Sequence, residues 1–222
     1  NELVLLRGLG CYADFTLPSG PSDTQPRTVN AIYYATDDPL RPRSHDHGVP
    51  VRAGGQPSGD LMIVQGPLAL NWAQRRAGIV PRIENSDVRA ANPPTPSRVD
   101  AWVRAGIHVA GRPEWVFVKA FTHGAPEKQA ASLLGDGGRA VHRELTSRYN
   151  DGRRWVLHYV TAREMYNVAM AAMEGHAGDP VRVIRGQRVA DDVSGVVADH
   201  GEPLVAERIH QRDHVAGQGA GV

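Results

Sequence analysis

The chain's strongest apolar run, Glu114-Trp115-Val116-Phe117-Val118-Lys119-Ala120-Phe121, leads through Thr122 directly into His123 and Gly124. An imidazole at the end of a buried strand can accept or donate a proton near neutral pH. In parallel α/β sheets the carboxyl ends of strands are where sites are built. His123 is therefore the candidate general acid or base. Asp14 lies in the apolar stretch Cys11-Tyr12-Ala13-Asp14-Phe15-Thr16. A carboxylate there must be paired or exposed, which makes it a candidate substrate-binding group. Gln65, Asn71 and Trp72, followed by Arg82, Glu84 and Asn85, supply the hydrogen-bonding and stacking groups that surround a sugar, and the first three are read as binding residues.

Other constellations carry less chemistry. Ser44-His45-Asp46-His47-Gly48 offers two imidazoles and a carboxylate, yet a metal needs at least three fixed ligands. In a loop punctuated by Pro39, Pro42 and Pro50 the two histidines are expected to be solvated. His158 sits inside a strand pattern and reads as a structural histidine. The sequence contains no phosphate-binding glycine loop, no CxxC pair and no GxSxG elbow. Cys11 is the single cysteine, so an intrachain disulfide is excluded. Lys and Arg number 25 against 24 Asp and Glu, which leaves no basic excess to drive phosphate-backbone binding. Nucleic acid is thus not an expected partner. No stretch approaches the roughly 20 apolar residues of a membrane span.

Positioning these groups requires a core, and 222 residues with 41% apolar content suffice for one. Glu2 to Gly10 reads as the last turns of a helix closed by glycine, so the chain is expected to begin within an element and to be a fragment. Strands are expected at 11–16, 28–34, 61–65, 114–121 and 155–160. Residues 67–94 show no clear period. A helix should start at Pro96, capped by Thr95, with Val99, Trp102, Val103 and Ile107 on one face. A second should span about 138–149. A third should follow the capping box Thr161-Ala162-Arg163-Glu164, burying Met165, Val168, Ala169, Ala172 and Met173. The strand-helix-strand-helix order predicts an α/β class with the strands mostly parallel in one curved sheet. Residues 1–186 would form that domain, and 187–222, polar and glycine-rich, a mobile tail.

With those residues in place the chain resembles a known group. Gly10-Cys11-Tyr12-Ala13-Asp14-Phe15-Thr16, Asn30-Ala31-Ile32-Tyr33-Tyr34-Ala35, Gln65-Gly66-Pro67-Leu68 and Phe117-Val118-Lys119-Ala120-Phe121-Thr122-His123-Gly124 are similar to segments of bacterial polysaccharide-biosynthesis proteins of the glycoside hydrolase/deacetylase superfamily. The resemblance covers roughly residues 1–186. It implies the later part of a distorted (β/α) barrel of polysaccharide deacetylase type. It also implies a hydrolase that removes acetyl groups from oligo- or polysaccharides, with His123 as the late-strand acid and a divalent metal, zinc first, in the full-length parent. The early aspartate and histidine metal motifs of that family are not found here, and their expected place is upstream of Asn1. His45-Asp46-His47 comes too late in the order of elements to replace them. A cytoplasmic location is expected. The alternatives are a non-catalytic glycan-binding barrel and a glycoside hydrolase using Asp14 with Glu84 as its carboxylate pair.

Overall fold

A computed structural model describes residues 2–123, 126–180, 183 and 206–211. The fold mixes helices and sheets. In chain order the elements are α1 (Glu2–Gly8), β1 (Ala13–Asp14), β2 (Ile32–Ala35), a 3-10 turn (Ser44–Asp46), β3 (Val49–Pro50), β4 (Leu61–Val64), β5 (Leu68–Arg76) and β6 (Val80–Asn85). They continue with α2 (Pro96–Arg104), β7 (Trp115–Lys119), α3 (Glu127–Leu134), α4 (Asp136–Tyr149), β8 (Trp155–Val160), α5 (Ala162–Met173) and β9 (Ala206–Gln211).

The described residues form three sheets, in the orders β1-β4-β2-β3, β5-β6 and β7-β9-β8. Among the described strands only β1 and β4 pair in parallel, with Ala13 opposite Met62 and Asp14 opposite Ile63. The other ladders are antiparallel. The expected single curved parallel sheet is therefore replaced by three smaller ones, and the described residues close no barrel. The reason is physical: an apolar run such as Leu61–Val64 demands cover on both faces, and that demand is the same whichever way its neighbours run. β7 and β8 do point the same way, but β9 lies between them and is antiparallel to each.

Alternation along the strands divides the core. In β2 and β4, Ile32, Tyr34, Met62 and Val64 enter a central cluster with Trp115, Phe117 and the apolar stripe of α5. The intervening Tyr33, Ala35, Leu61 and Ile63 pack on the other side with Leu3 of α1. In β7, Val116 and Val118 face away from the central cluster toward Val99, Trp102, Val103, Leu145 and Tyr149. Every residue of these three strands is buried, and a fully buried Val, Leu, Ile or Phe contributes about 1.5 to 3 kcal/mol.

The helix starts repay close reading. Thr161 caps α5 as expected: its hydroxyl accepts from the Glu164 N–H at 3.3 Å, and the Glu164 carboxylate accepts from the Thr161 N–H at 2.7 Å. Thr95 precedes α2 with Pro96 in the first turn, but its hydroxyl contacts Ser97 Oγ at 3.3 Å instead of capping the backbone. α4 begins two residues before its expected start, and α3 ahead of it was not expected.

Two segments depart further. Residues 68–85, without a clear period in sequence, form a long hairpin. Its turn rests on Ala77 at φ 48° and Gly78 at φ 72°, and the Ile79 N–H donates to the Arg76 carbonyl at 3.2 Å. Of the expected tail at 187–222, residues 206–211 are described, and they form the middle strand of a sheet. The backbone ladders to β7 and β8 on both sides define this strand, whereas Ala206-Glu207-Arg208-Ile209-His210-Gln211 carries too little apolar alternation to announce it. The rest of that tail lies outside the described residues.

Candidate functional site

The ends of β1, β4, β6 and β7 meet at one seam, and Lys119 stands at its centre. Alternation places Lys119 on the same side of β7 as Trp115 and Phe117, where only 5% of it is exposed. A buried ammonium must find acceptors. Nζ donates to the carbonyl of Phe15 at 2.6 Å and to that of Leu17 at 2.9 Å, both just past Asp14 in β1. Burial pushes the Lys119 ammonium down to about 7, with the Asp14 carboxylate acting in the opposite direction. Asp14 itself is half-buried and accepts from the Thr16 N–H at 2.6 Å, an Asx turn that fixes the start of the segment Lys119 holds.

The backbone of Lys119 is held as well. Ser86 Oγ donates to the Lys119 carbonyl at 2.5 Å. Gly66, just past β4, presses against this contact: a Cβ there would lie 3.0 Å from Ser86 Oγ and 3.1 Å from the Lys119 carbonyl oxygen. A side chain at this position would have to push these neighbours aside by a few tenths of an ångström. Beyond β7 the chain runs beside the extension of β6, with the Phe121 N–H donating to the Ser86 carbonyl at 3.1 Å and the Val88 N–H to the Phe121 carbonyl at 2.8 Å.

His123 follows at this same end. Its ring is exposed and meets Phe121 edge-on, with centroids 6.4 Å apart. Two buried oxygens in this stretch, Thr122 Oγ1 and Asp87 Oδ1, have no hydrogen-bond partner among the described residues. The other oxygen of Asp87 forms an ion pair with Arg89 Nε at 2.9 Å. The seam thus holds an accessible imidazole, a half-buried carboxylate, a buried amine and two buried oxygens without a hydrogen-bond partner among the described residues.

The remaining sequence candidates are placed elsewhere or used internally. Gln65 is buried: its Oε1 accepts from the Ala31 N–H at 3.2 Å and its Nε2 donates to the Thr28 carbonyl at 2.5 Å, tying β4 to β2. Asn71, also buried, donates to Ser97 Oγ at 3.3 Å and accepts from the Ala73 N–H at 3.1 Å. Both amides are thereby engaged within the fold. Trp72 is exposed on the hairpin, with the Arg75 guanidinium 5.7 Å from its ring centre. Glu84 is sealed: Arg98 Nε donates to its Oε1 at 2.9 Å and Trp102 Nε1 at 2.9 Å. The remaining Arg98 N–H groups donate to the carbonyls of Asn92, Pro93, Asn85 and Asp87.

Among the described residues no group of three or more His, Cys, Asp or Glu could hold a metal ion. In the 44–47 segment Asp46 is bound by Arg43 through two contacts of 2.8 and 3.0 Å, and this guanidinium holds its carboxyl below the usual range. The carbonyl of His45 accepts from Tyr33 Oη at 2.8 Å.

Sequence reasoning missed Lys119, Ser86 and Asp87. Lys119 carried a usable signal, a single cation within Trp115-Val116-Phe117-Val118-Lys119-Ala120-Phe121 that alternation turns inward. Ser86 and Asp87 lay in the stretch without a period.

Comparisons with protein-family models, with curated proteins and with solved structures found no match for the chain.

Proposed function

We propose that this chain carries the proton-donating side of a polysaccharide deacetylase-like hydrolase acting on acetylated sugars. The observation that carries the reading is the position of His123: exposed, and just beyond the end of β7 that Lys119 ties to the segment following Asp14. In the proposed reaction water adds to the acetyl carbonyl carbon. The bond from that carbon to the sugar nitrogen or oxygen then breaks. His123 delivers a proton to the departing amine or alkoxide, and acetate leaves. The half-buried Asp14 carboxylate, in the segment that Lys119 holds, is the candidate acceptor for a sugar hydroxyl. Hydrolases of this type draw on a divalent metal to polarise the carbonyl, and the described residues contain no group of three or more His, Cys, Asp or Glu that could hold one.

The carboxylate-pair alternative is less well supported, because Glu84 is fully buried and held by Arg98 and Trp102. The test is acetate release from acetylated amino-sugar oligomers by the full-length protein and its His123→Ala variant. Turnover should fall by roughly 10² to 10⁴ with little change in folding. Unchanged turnover in a folded variant would remove His123 from the reaction.

A further inference from the structure

The β5-β6 hairpin is inside out. Its inner residues Asn71 and Glu84 are fully buried, Asn71 bonded to Ser97 and Glu84 Oε1 held by Arg98 and Trp102 of α2. Its outer face is apolar: Leu70 and Ile83 stand directly opposite one another, 51% and 53% exposed, and Trp72, one side-chain repeat along from Leu70, is 55% exposed. At the tip Ile79 and Val80 are 77% and 58% exposed. Five large apolar side chains on one projecting ribbon exceed the scattered exposure of an ordinary surface.

The charges on the ribbon select its partner. Arg75 and Arg76 are exposed and have no carboxylate partner among the described residues. Glu84 is the only acidic residue between 68 and 85, and it is buried. We infer that the hairpin is a docking surface for an anionic phospholipid bilayer. In this arrangement Ile79 and Val80 enter the acyl boundary, Trp72 lies at headgroup level, and Arg75 and Arg76 meet lipid phosphates. A second copy of the chain fits less well, because a two-fold contact through this face would bring the same arginines together. A glycan or a nucleic acid would leave the aliphatic tip unmatched. No described helix is long and apolar enough to cross a membrane, so the association is with the surface. This inference is independent of the hydrolase reading.

The experiment is co-sedimentation with vesicles of phosphatidylcholine alone or with about one third phosphatidylglycerol, at low and physiological salt. The protein should pellet with the anionic vesicles, much less with the neutral ones, and less as salt rises. Arg75→Gln with Arg76→Gln should weaken partitioning about thirtyfold. Ile79→Ser with Val80→Ser should weaken it about tenfold or more. Both pairs are exposed, so unfolding curves should match the parent protein. Absence of binding to anionic vesicles at low salt would overturn the inference. So would binding that ignores the Ile79→Ser and Val80→Ser changes, which would leave a purely electrostatic contact. Self-association lost in that variant, without vesicle binding, would assign the face to a second copy instead.

Discussion

Lys119 reaches out of β7 to donate to the carbonyl of Phe15 at 2.6 Å, so a side chain of one sheet holds the segment that leaves the other. A neutral lysine amine keeps two N–H groups, and the seam supplies two acceptors, Phe15 and Leu17. Losing the proton therefore costs neither bond, while keeping it requires a charge in a buried place.

The first prediction follows from that proton. In the folded state burial holds Lys119 near 7, against the ordinary 10.5 of an unfolded chain. Between those values the unfolded state binds more protons, so this residue makes stability rise as pH increases through the window. Below the folded value the full cost of the buried ammonium is present. Urea titrations between pH 6 and 9 should show the rise in the parent protein, and Lys119→Met should flatten it. An identical slope in both would show that Lys119 keeps its proton.

Gly66 and Ser86 should be energetically coupled. Ala at 66 places a methyl 3.0 Å from Ser86 Oγ and 3.1 Å from the Lys119 carbonyl oxygen, a crowding expected to cost about 1 to 3 kcal/mol. In a Ser86→Ala background one of the two close contacts is gone, so Gly66→Ala should cost less. A double-mutant cycle measures the difference, and strict additivity would contradict the described packing.

Arg98 should be among the most sensitive positions. Its removal leaves the Glu84 carboxylate buried beside Trp102 and four backbone carbonyls without their donor. Breaking a buried ion pair in this way destabilises by about 3 to 5 kcal/mol. Arg98→Ala should therefore shift the urea midpoint sharply, whereas Arg76→Ala on the hairpin surface should barely move it.

Thr161→Ala should lower stability by about 1 kcal/mol through loss of the helix cap, and Thr161→Ser should restore most of it. Thermal unfolding of the two variants distinguishes the cap from the methyl group, which the serine lacks.

The parts of the fold legible in sequence are those where one local pattern has one physical solution. Thr161 and Glu164 can satisfy each other's N–H groups only at a helix start, and the apolar runs around Ile63 and Phe117 can be covered only inside a sheet. Strand direction was not legible, since Ile63 is equally buried beside a parallel or an antiparallel neighbour. The hairpin was hidden by its reversal: Asn71 and Glu84 face in while Leu70 and Ile83 face out, against the usual reading of alternation. Asn71 stood among the sugar-binding candidates for its residue type alone, and its amide is occupied by Ser97 and Ala73. His123 and Asp14 were visible because each interrupts an apolar strand end. Lys119 interrupts one too, but its pairing with carbonyls distant in sequence could emerge only from the fold.

Helix α5 belongs to no sheet's hydrogen-bond ladder, yet its apolar stripe packs in the cluster that also holds Tyr34 and Met62 of one sheet and Trp115 and Phe117 of another. Tyr34 Oη touches Met170 Sδ at 3.5 Å, and the Tyr12 and Tyr166 rings lie 4.4 Å apart. The two sheets consequently share one cover, and neither can loosen without uncovering the other. In hydrogen exchange the amides of α5, of β2 and β4, and of β7 should open together at the free energy of global unfolding, as one cooperative unit.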